Sequence, residues 1–224
     1  TYHDDKTFTF ASEIKSIKRF SKGIDTNSKI LFFLLGYIPE PVTIYENIYS
    51  FPAGCFGFLK NNKLSIKEFD KYNYEPKINK PYKEIISDVK ELFNNSIKRH
   101  LISDAPIGTF LSGGLDSSII TAVAAQYKTD LQTLSLVFDE KELSEEKYQD
   151  LIVKKYNTKH TKYLINESLF LDNIDDYFKA MEQPTIDGLN TYFVSKAAKD
   201  NGLTTVLSGV GGDEIFYGYP SFKD

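Results

Sequence analysis

The 224-residue sequence contains no tryptophan and a single cysteine, Cys55. One cysteine excludes an intrachain disulfide, so a reducing compartment and a cytoplasmic location are expected. Neither sign of charge dominates: 27 Lys and Arg stand against 31 Asp and Glu, a net charge of -4. The basic footprint that nucleic-acid binding requires is therefore missing. Long hydrophobic runs are missing too. The most apolar stretch, Ile30 to Ile38, is about half the length needed to cross a bilayer and reads as a buried helix segment. No membrane partner and no secretory signal are expected. His3, His100 and His160 do not cluster with Cys55 or with one another at metal-ligand spacing. There is no internal repeat or low-complexity tract.

What is present falls into two patterns. From Thr7 to Phe69 the segments are short: an alternating strand at Thr7–Phe10, a turn of helix after a candidate N-cap at Ser12, and a helix over Ile30–Leu35 ended by Gly36. Runs rich in Ile, Phe and Tyr then follow between Ile44 and Phe69, with a hairpin turn expected at Asn61-Asn62. Lys71–Lys83, with Pro76, Pro81 and several lysines, is the candidate linker. Beyond it the rhythm changes. A helix over Tyr82–Leu101 presents Ile85, Val89, Leu92, Phe93 and Ile97 on one face. Strands are expected at Ile107–Leu111, Thr133–Phe138, Thr161–Ile165 and Thr204–Leu207. Helices are expected near Ser117–Tyr127, Ser144–Tyr156 and Thr191–Asn201. Strands alternating with helices predict an α/β domain with a parallel sheet. The boundary is set at 75/76, giving domains of residues 1–75 and 76–224.

Between the first of these strands and its helix stands Phe110-Leu111-Ser112-Gly113-Gly114-Leu115-Asp116-Ser117-Ser118. Two glycines allow a tight turn and close approach of backbone to a ligand. The amides of Leu115 to Ser118 would open the helix toward an anion, with the hydroxyls of Ser112, Ser117 and Ser118 adding hydrogen bonds to phosphate oxygens. Asp116 would repel phosphates unless a cation lies between, and magnesium held by carboxylates plus phosphate oxygens meets that need. No Walker A lysine is present. The plain alternative is a strand-to-helix turn with Asp116 as a capping acid.

A second glycine-rich segment, Ser208-Gly209-Val210-Gly211-Gly212-Asp213-Glu214-Ile215-Phe216-Tyr217-Gly218-Tyr219, follows another apolar strand. In open α/β sheets ligands bind beyond the carboxyl ends of strands. Both loops would lie on that edge, where Asp116 and Asp213 could converge on one metal–pyrophosphate unit. The bland alternative is a strand-exit turn with solvated acids.

The first loop resembles the Ser-Gly-Gly-x-Asp-Ser loop of the ATP-pyrophosphatase superfamily. The second resembles the Ser-Gly-x-Gly-x-Asp-Glu-x-Phe-x-Gly-Tyr of the glutamine-hydrolysing asparagine synthetase family, with Gly212 where alanine is common and Tyr217 where glycine or alanine is usual. Phe10-Ala11-Ser12-Glu13-Ile14-Lys15-Ser16-Ile17 is similar to a segment near the end of that family's glutaminase domain. Gly36-Tyr37-Ile38-Pro39 and Phe51-Pro52-Ala53-Gly54 continue the match. Cys55 stands where the family usually has His and reads as a packed strand residue.

The resemblance implies an antiparallel-strand tail of an Ntn-type glutaminase domain, followed by the first part of an ATP-pyrophosphatase domain of the adenine nucleotide alpha hydrolase type. It implies ATP and Mg2+, with Leu111, Leu136, Ser208 and Gly209 contacting adenosine and Ser112, Gly113, Gly114, Asp116, Ser117 and Ser118 around the pyrophosphate. Asp116 and Asp213 would hold the metal, and Glu182 in Met181–Gly188 is the match for a catalytic glutamate. The implied reaction amidates aspartate through a β-aspartyl-AMP intermediate, using ammonia from glutamine in the full-length protein. A homodimer is expected of that full-length protein. The chain begins at Thr1 without the family's N-terminal cysteine, so it reads as a piece of a longer protein. A related amidotransferase or β-lactam-type synthetase acting on another carboxylate, or a non-catalytic nucleotide-binding module, remain as alternatives.

Overall fold

Asn61 and Asn62 both take left-handed backbone conformations, φ 50° and 57°, as a two-residue hairpin turn whose twist matches its strands requires. They join the antiparallel strands Cys55–Lys60 and Lys63–Glu68, with Lys60 opposite Lys63. The hairpin belongs to the first of two compact units in a computed structural model that describes residues 1–4, 6–71, 78–139 and 144–222. That unit comprises Thr1–Ile78 and Asp175–Leu189, and the second comprises Asn79–Ile174 and Asn190–Asp224. The predicted boundary at 75/76 and the centre of the candidate linker lie outside the described residues.

In chain order the strands are β1 (Tyr2–His3), β2 (Phe8–Thr9), β3 (Cys55–Lys60), β4 (Lys63–Glu68), β5 (Ile107–Phe110), β6 (Gln132–Phe138), β7 (Lys159–Ile165) and β8 (Thr205–Leu207). The helices are α1 (Thr26–Leu35), α2 (Tyr82–His100), α3 (Leu115–Tyr127), α4 (Glu146–Tyr156), α5 (Glu167–Ala180), α6 (Leu189–Asp200) and the five-residue α7 (Gly212–Phe216).

In the first unit, β1 and β2 form a minimal antiparallel pair. Ser12 does not cap the turn that follows: the 3-10 turn Ile14–Ser16 begins after Glu13, with no side-chain cap. Helix α1 starts four residues before the predicted Ile30. Asp25 accepts a hydrogen bond from the Ser28 N–H at 2.7 Å, an acidic N-cap at the helix start. Gly36 at φ 76° ends α1, its N–H donating to Phe32 O. The expectation that Ile30–Ile38 is buried fails for most of its length: Phe33 is 84% exposed and Leu34 74%. Hydrophobicity alone cannot bury a helix that is apolar on nearly every face, because the described unit covers only one side of it.

The second unit carries a four-stranded parallel sheet in the order β7-β6-β5-β8. Val206 and Leu207, consecutive in β8, join different apolar clusters, as strand alternation dictates. One cluster packs Ile97 of α2 with Ile120, Val123 and Ala124 of α3 and Leu131. The other packs Leu134 of β6 with Ala197 and Ala198 of α6 and Leu203. The sheet is thus covered by helices on both faces, the usual condition of a parallel sheet. Of the predicted α2 stripe, Phe93 and Ile97 reach the core, whereas Leu92 and Val89 are exposed. Among the described residues no helix is long and apolar enough to cross a membrane.

Candidate active site

Strand order fixes where the two glycine loops meet. The chain passes from β5 to β6 and β7 on one side of β5, then returns to β8 on the other. Neighbouring strands β5 and β8 therefore send their following loops out from the same carboxyl edge, at the point where the direction of winding reverses. A crevice forms at such a switch point.

The loops touch. A Cβ placed on Gly209 would lie 3.1 Å from Asp116 Cβ and 3.2 Å from the Ser117 N, and one on Gly212 would lie 2.1 Å from Asp116 Oδ2. The half-buried Asp116 side chain is thus packed under the second loop, against backbone that carries no side chain. Asp116 makes no capping hydrogen bond to α3, whose N-cap position is Gly114. Asp116 is nonetheless the acidic residue of the first turn of α3, where a carboxylate also suits the helix dipole. Asp213 is exposed, and a Cβ on Gly218 would fall 1.8 Å from its Oδ1. The Asp213 carboxylate thus turns toward its own loop, which the Gly218 N–H closes by donating to Asp213 O at 2.9 Å.

The serines of the first loop bond to one another. Ser117, buried, receives the Ser112 N–H on its Oγ at 3.2 Å, lies 2.9 Å from Ser112 Oγ and donates to Gly114 O at 3.2 Å. Ser118 Oγ donates to Gly114 O at 2.7 Å and the Gly114 N–H to Ser112 Oγ at 3.2 Å. The hydroxyls expected to face phosphate thus brace the loop, and Gly113 takes φ 95° to complete the turn. The Ser118 N–H, expected to be open, instead donates to Gly114 O at 3.2 Å, so the amides of Leu115, Asp116 and Ser117 are the helix-start donors left for an anion.

At the sheet edge, Leu111 is 1% exposed. Its N–H donates to Leu134 O at 2.8 Å and its carbonyl accepts from Ser135 Oγ. Leu136 is half-buried in β6, Ser208 is exposed and Gly209 half-buried. Glu182 lies in the first unit. Its Oε2 accepts from the Ile14 N–H at 2.7 Å and its Oε1 from the Lys15 N–H at 3.2 Å. The adjacent Gln183 Oε1 accepts from the Ile44 N–H at 2.9 Å. The first unit has a cavity of about 590 Å3, lined by Phe8, Phe10, Leu59 and Leu64 among others, and none of the predicted nucleotide-binding residues lines it.

Two residues beside the first loop were not singled out by the sequence. Glu145 lies over Gly113: a Cβ there would meet Glu145 Cβ at 2.9 Å and Glu145 O at 3.1 Å. Gln149 of α4 is 2% exposed and donates from Nε2 to Ser112 O at 3.2 Å. The readable signal for Gln149 was a polar residue three and four positions before Ile152 and Val153, on the inward stripe of a helix.

Magnesium calls for one or two protein carboxylates, with phosphate oxygens and water completing the shell. Asp116, in the first turn of α3 and held at the meeting point of the loops, fits that demand. Asp213 begins the turn immediately after Gly212. Among the described residues no group of three or more His, Cys, Asp or Glu gathers as a self-sufficient metal site.

The sequence profile described as asparagine synthase matches residues 88–224. Asparagine synthetase [glutamine-hydrolyzing] 3 of Bacillus subtilis is 31% identical over 243 residues, spanning 98% of this chain and 39% of that protein. A Methanocaldococcus jannaschii protein, provisionally named asparagine synthetase [glutamine-hydrolyzing] 2, is 36% identical over 230 residues, 97% of this chain and 44% of its own. The chain thus spans less than half the length of these curated relatives. A solved structure, the NH3-dependent NAD synthetase from Campylobacter jejuni, is 15% identical over 62% of this chain and 61% of that one, at a TM-score of 0.38. That likeness is too slight to carry an argument.

Proposed function

The chain belongs to the asparagine synthase family, and on that premise we propose that its parallel-sheet unit binds ATP and adenylates the side-chain carboxylate of aspartate. The observation that carries this reading is the packing of Asp116 beneath Gly209 and Gly212, which joins both glycine loops beside one helix N-terminus.

In the proposed reaction the aspartate carboxylate oxygen attacks the α-phosphorus of ATP, and the bond to the pyrophosphate oxygen breaks. The amides at the start of α3 receive the negative charge that builds on the leaving group, a pre-set electrostatic stabilisation. Ser112, Ser117 and Ser118 hold those amides in place. Asp116, with Asp213, holds magnesium, which when bound neutralises pyrophosphate charge. Leu136, Ser208 and Gly209 border the adenosine, with Leu111 buried at the same sheet edge. Ammonia, drawn from glutamine by the glutaminase portion of the whole protein, displaces AMP to leave asparagine. Residues 1–75 are assigned to the tail of that glutaminase domain, supported by the Phe10–Ile17 match. Glu182 is assigned to assist ammonia. Its carboxylate has acceptor sites beyond the two that Ile14 and Lys15 use.

The test is aspartate-dependent ATP–pyrophosphate exchange by the intact protein. Asp116→Asn should lower exchange by about 100-fold or more while leaving the thermal midpoint near that of wild type, as loss of a few kcal/mol of transition-state stabilisation requires. Asp213→Asn should act likewise, and the double variant should be less than additive if both serve one cation. Unchanged exchange in Asp116→Asn would remove the assignment. Exchange driven by a carboxylate other than aspartate would redirect the substrate.

A further inference from the structure

Gln149 is among the most deeply buried polar side chains of the protein, 2% exposed. Its Nε2 lies 3.2 Å from Ser112 O, in the first glycine loop, and 3.5 Å from Leu136 O, on β6. Both neighbours are carbonyls, which only accept, so the amine side of the carboxamide must face them. Its Oε1 is buried with no protein partner among the described residues. An unpaired buried carbonyl weighs against folding, so the carboxamide is a poor choice for stability alone. What it does accomplish is geometric: one amine links the loop assigned to pyrophosphate with the strand assigned to adenosine.

We infer that Gln149 is a positioning residue for nucleotide binding, a strut that sets the spacing between the pyrophosphate loop and the adenosine strand by holding the carbonyls of Ser112 and Leu136. The inference rests on the ATP reading above. Ser112 is then fixed on three sides: its N–H and its hydroxyl by Ser117 and its carbonyl by Gln149. Removing the strut frees Ser112, whose residue is otherwise exposed. A ligand that spans both sub-regions feels the loss, and one that occupies a single sub-region feels it less.

The experiment is titration calorimetry of the intact protein with ATP and, separately, with AMP, for wild type and Gln149→Met. Methionine keeps the length and removes the donors. ATP should bind about 5- to 10-fold more weakly, the loss of roughly one hydrogen bond's net worth. AMP should bind within about twofold of wild type, and the thermal midpoint should stay level or rise. Equal weakening for both ligands, or a fallen midpoint with unchanged ATP affinity, would overturn the positioning role. If Gln149→Met does not fold, Gln149→Glu decides. A buried carboxyl facing two carbonyls has a raised pKa. Protonated, it can donate to Ser112 O, so ATP affinity should recover as pH falls. ATP affinity that is flat with pH and equal to wild type would refute the strut. A wild-type protein that binds no ATP would bring down the ATP reading and this inference together. Wild-type binding with an unaffected variant would bring down the inference alone.

Discussion

Gly113→Ala tests whether the first loop is held as tightly as its contacts imply. Gly113 sits at φ 95°, and its missing side chain would meet Glu145 Cβ at 2.9 Å and the Glu145 backbone oxygen at 3.1 Å. Two penalties follow. An L-residue held at positive φ loses about 1–2 kcal/mol. The contact adds a further cost of about 1 kcal/mol, because a backbone oxygen cannot swing aside as a side-chain tip can. Gly202 provides the control: φ is 73°, and nothing lies within 4 Å of its would-be Cβ. Gly202→Ala therefore carries the backbone penalty alone. Gly113→Ala should destabilise by about 2–3 kcal/mol and lower the midpoint by roughly 5–10 °C, with Gly202→Ala losing about half as much. Calorimetric scans of both variants give the comparison. Exchange activity should fall in Gly113→Ala, since a displacement of about 1 Å in a positioning loop costs on the order of 100-fold, and should persist in Gly202→Ala. Equal destabilisation of the two variants would refute the packing of Glu145 over the loop.

Glu182→Gln replaces one of two acceptor oxygens with a donor facing a backbone N–H, so the first unit should lose about 1–3 kcal/mol. If Glu182 also assists ammonia, amide formation should fall more than pyrophosphate release; parallel loss of both would leave it the structural role alone. His160 is held below the ordinary histidine pKa, first by burial and then by the Lys162 charge, with Asp150 and Thr133 opposing. The folded state keeps it neutral where the unfolded chain takes up a proton near pH 6.5. Its contribution to stability is therefore present above about pH 6.5 and is lost as pH falls through the folded pKa. Urea midpoints across that range should decline less steeply in His160→Gln than in wild type, and an unchanged slope would show that His160 does not set it.

Local chemistry made much of the chain legible. Asn61-Asn62 announced a hairpin because asparagine tolerates the left-handed conformation both positions adopt. Gly36 announced the end of α1 for the same reason. Helices α3, α4 and α6 were visible in their apolar period. Helix α5 went unnamed although Phe170, Ile174, Tyr177 and Phe178 carry that period, with Asn166 Oδ1 accepting from the Leu169 N–H at its start. Both glycine loops could be located to the residue, because each needs only its own strand, its glycines and the next helix.

Tertiary structure alone decided what depends on residues far apart in sequence. The order β7-β6-β5-β8 brings Gly209 and Gly212 onto Asp116, about a hundred positions away. Glu182 meets Ile14 and Lys15 across 168 and 167 positions. The serines of the first loop read as phosphate ligands, yet they bond to one another, because a hydroxyl takes whichever partner the folded turn brings within reach. Helix α1 read as buried because it is apolar, yet most of it is exposed. Apolarity is a property of residues, whereas burial requires a covering surface, and that surface is supplied by distant parts of a folded chain.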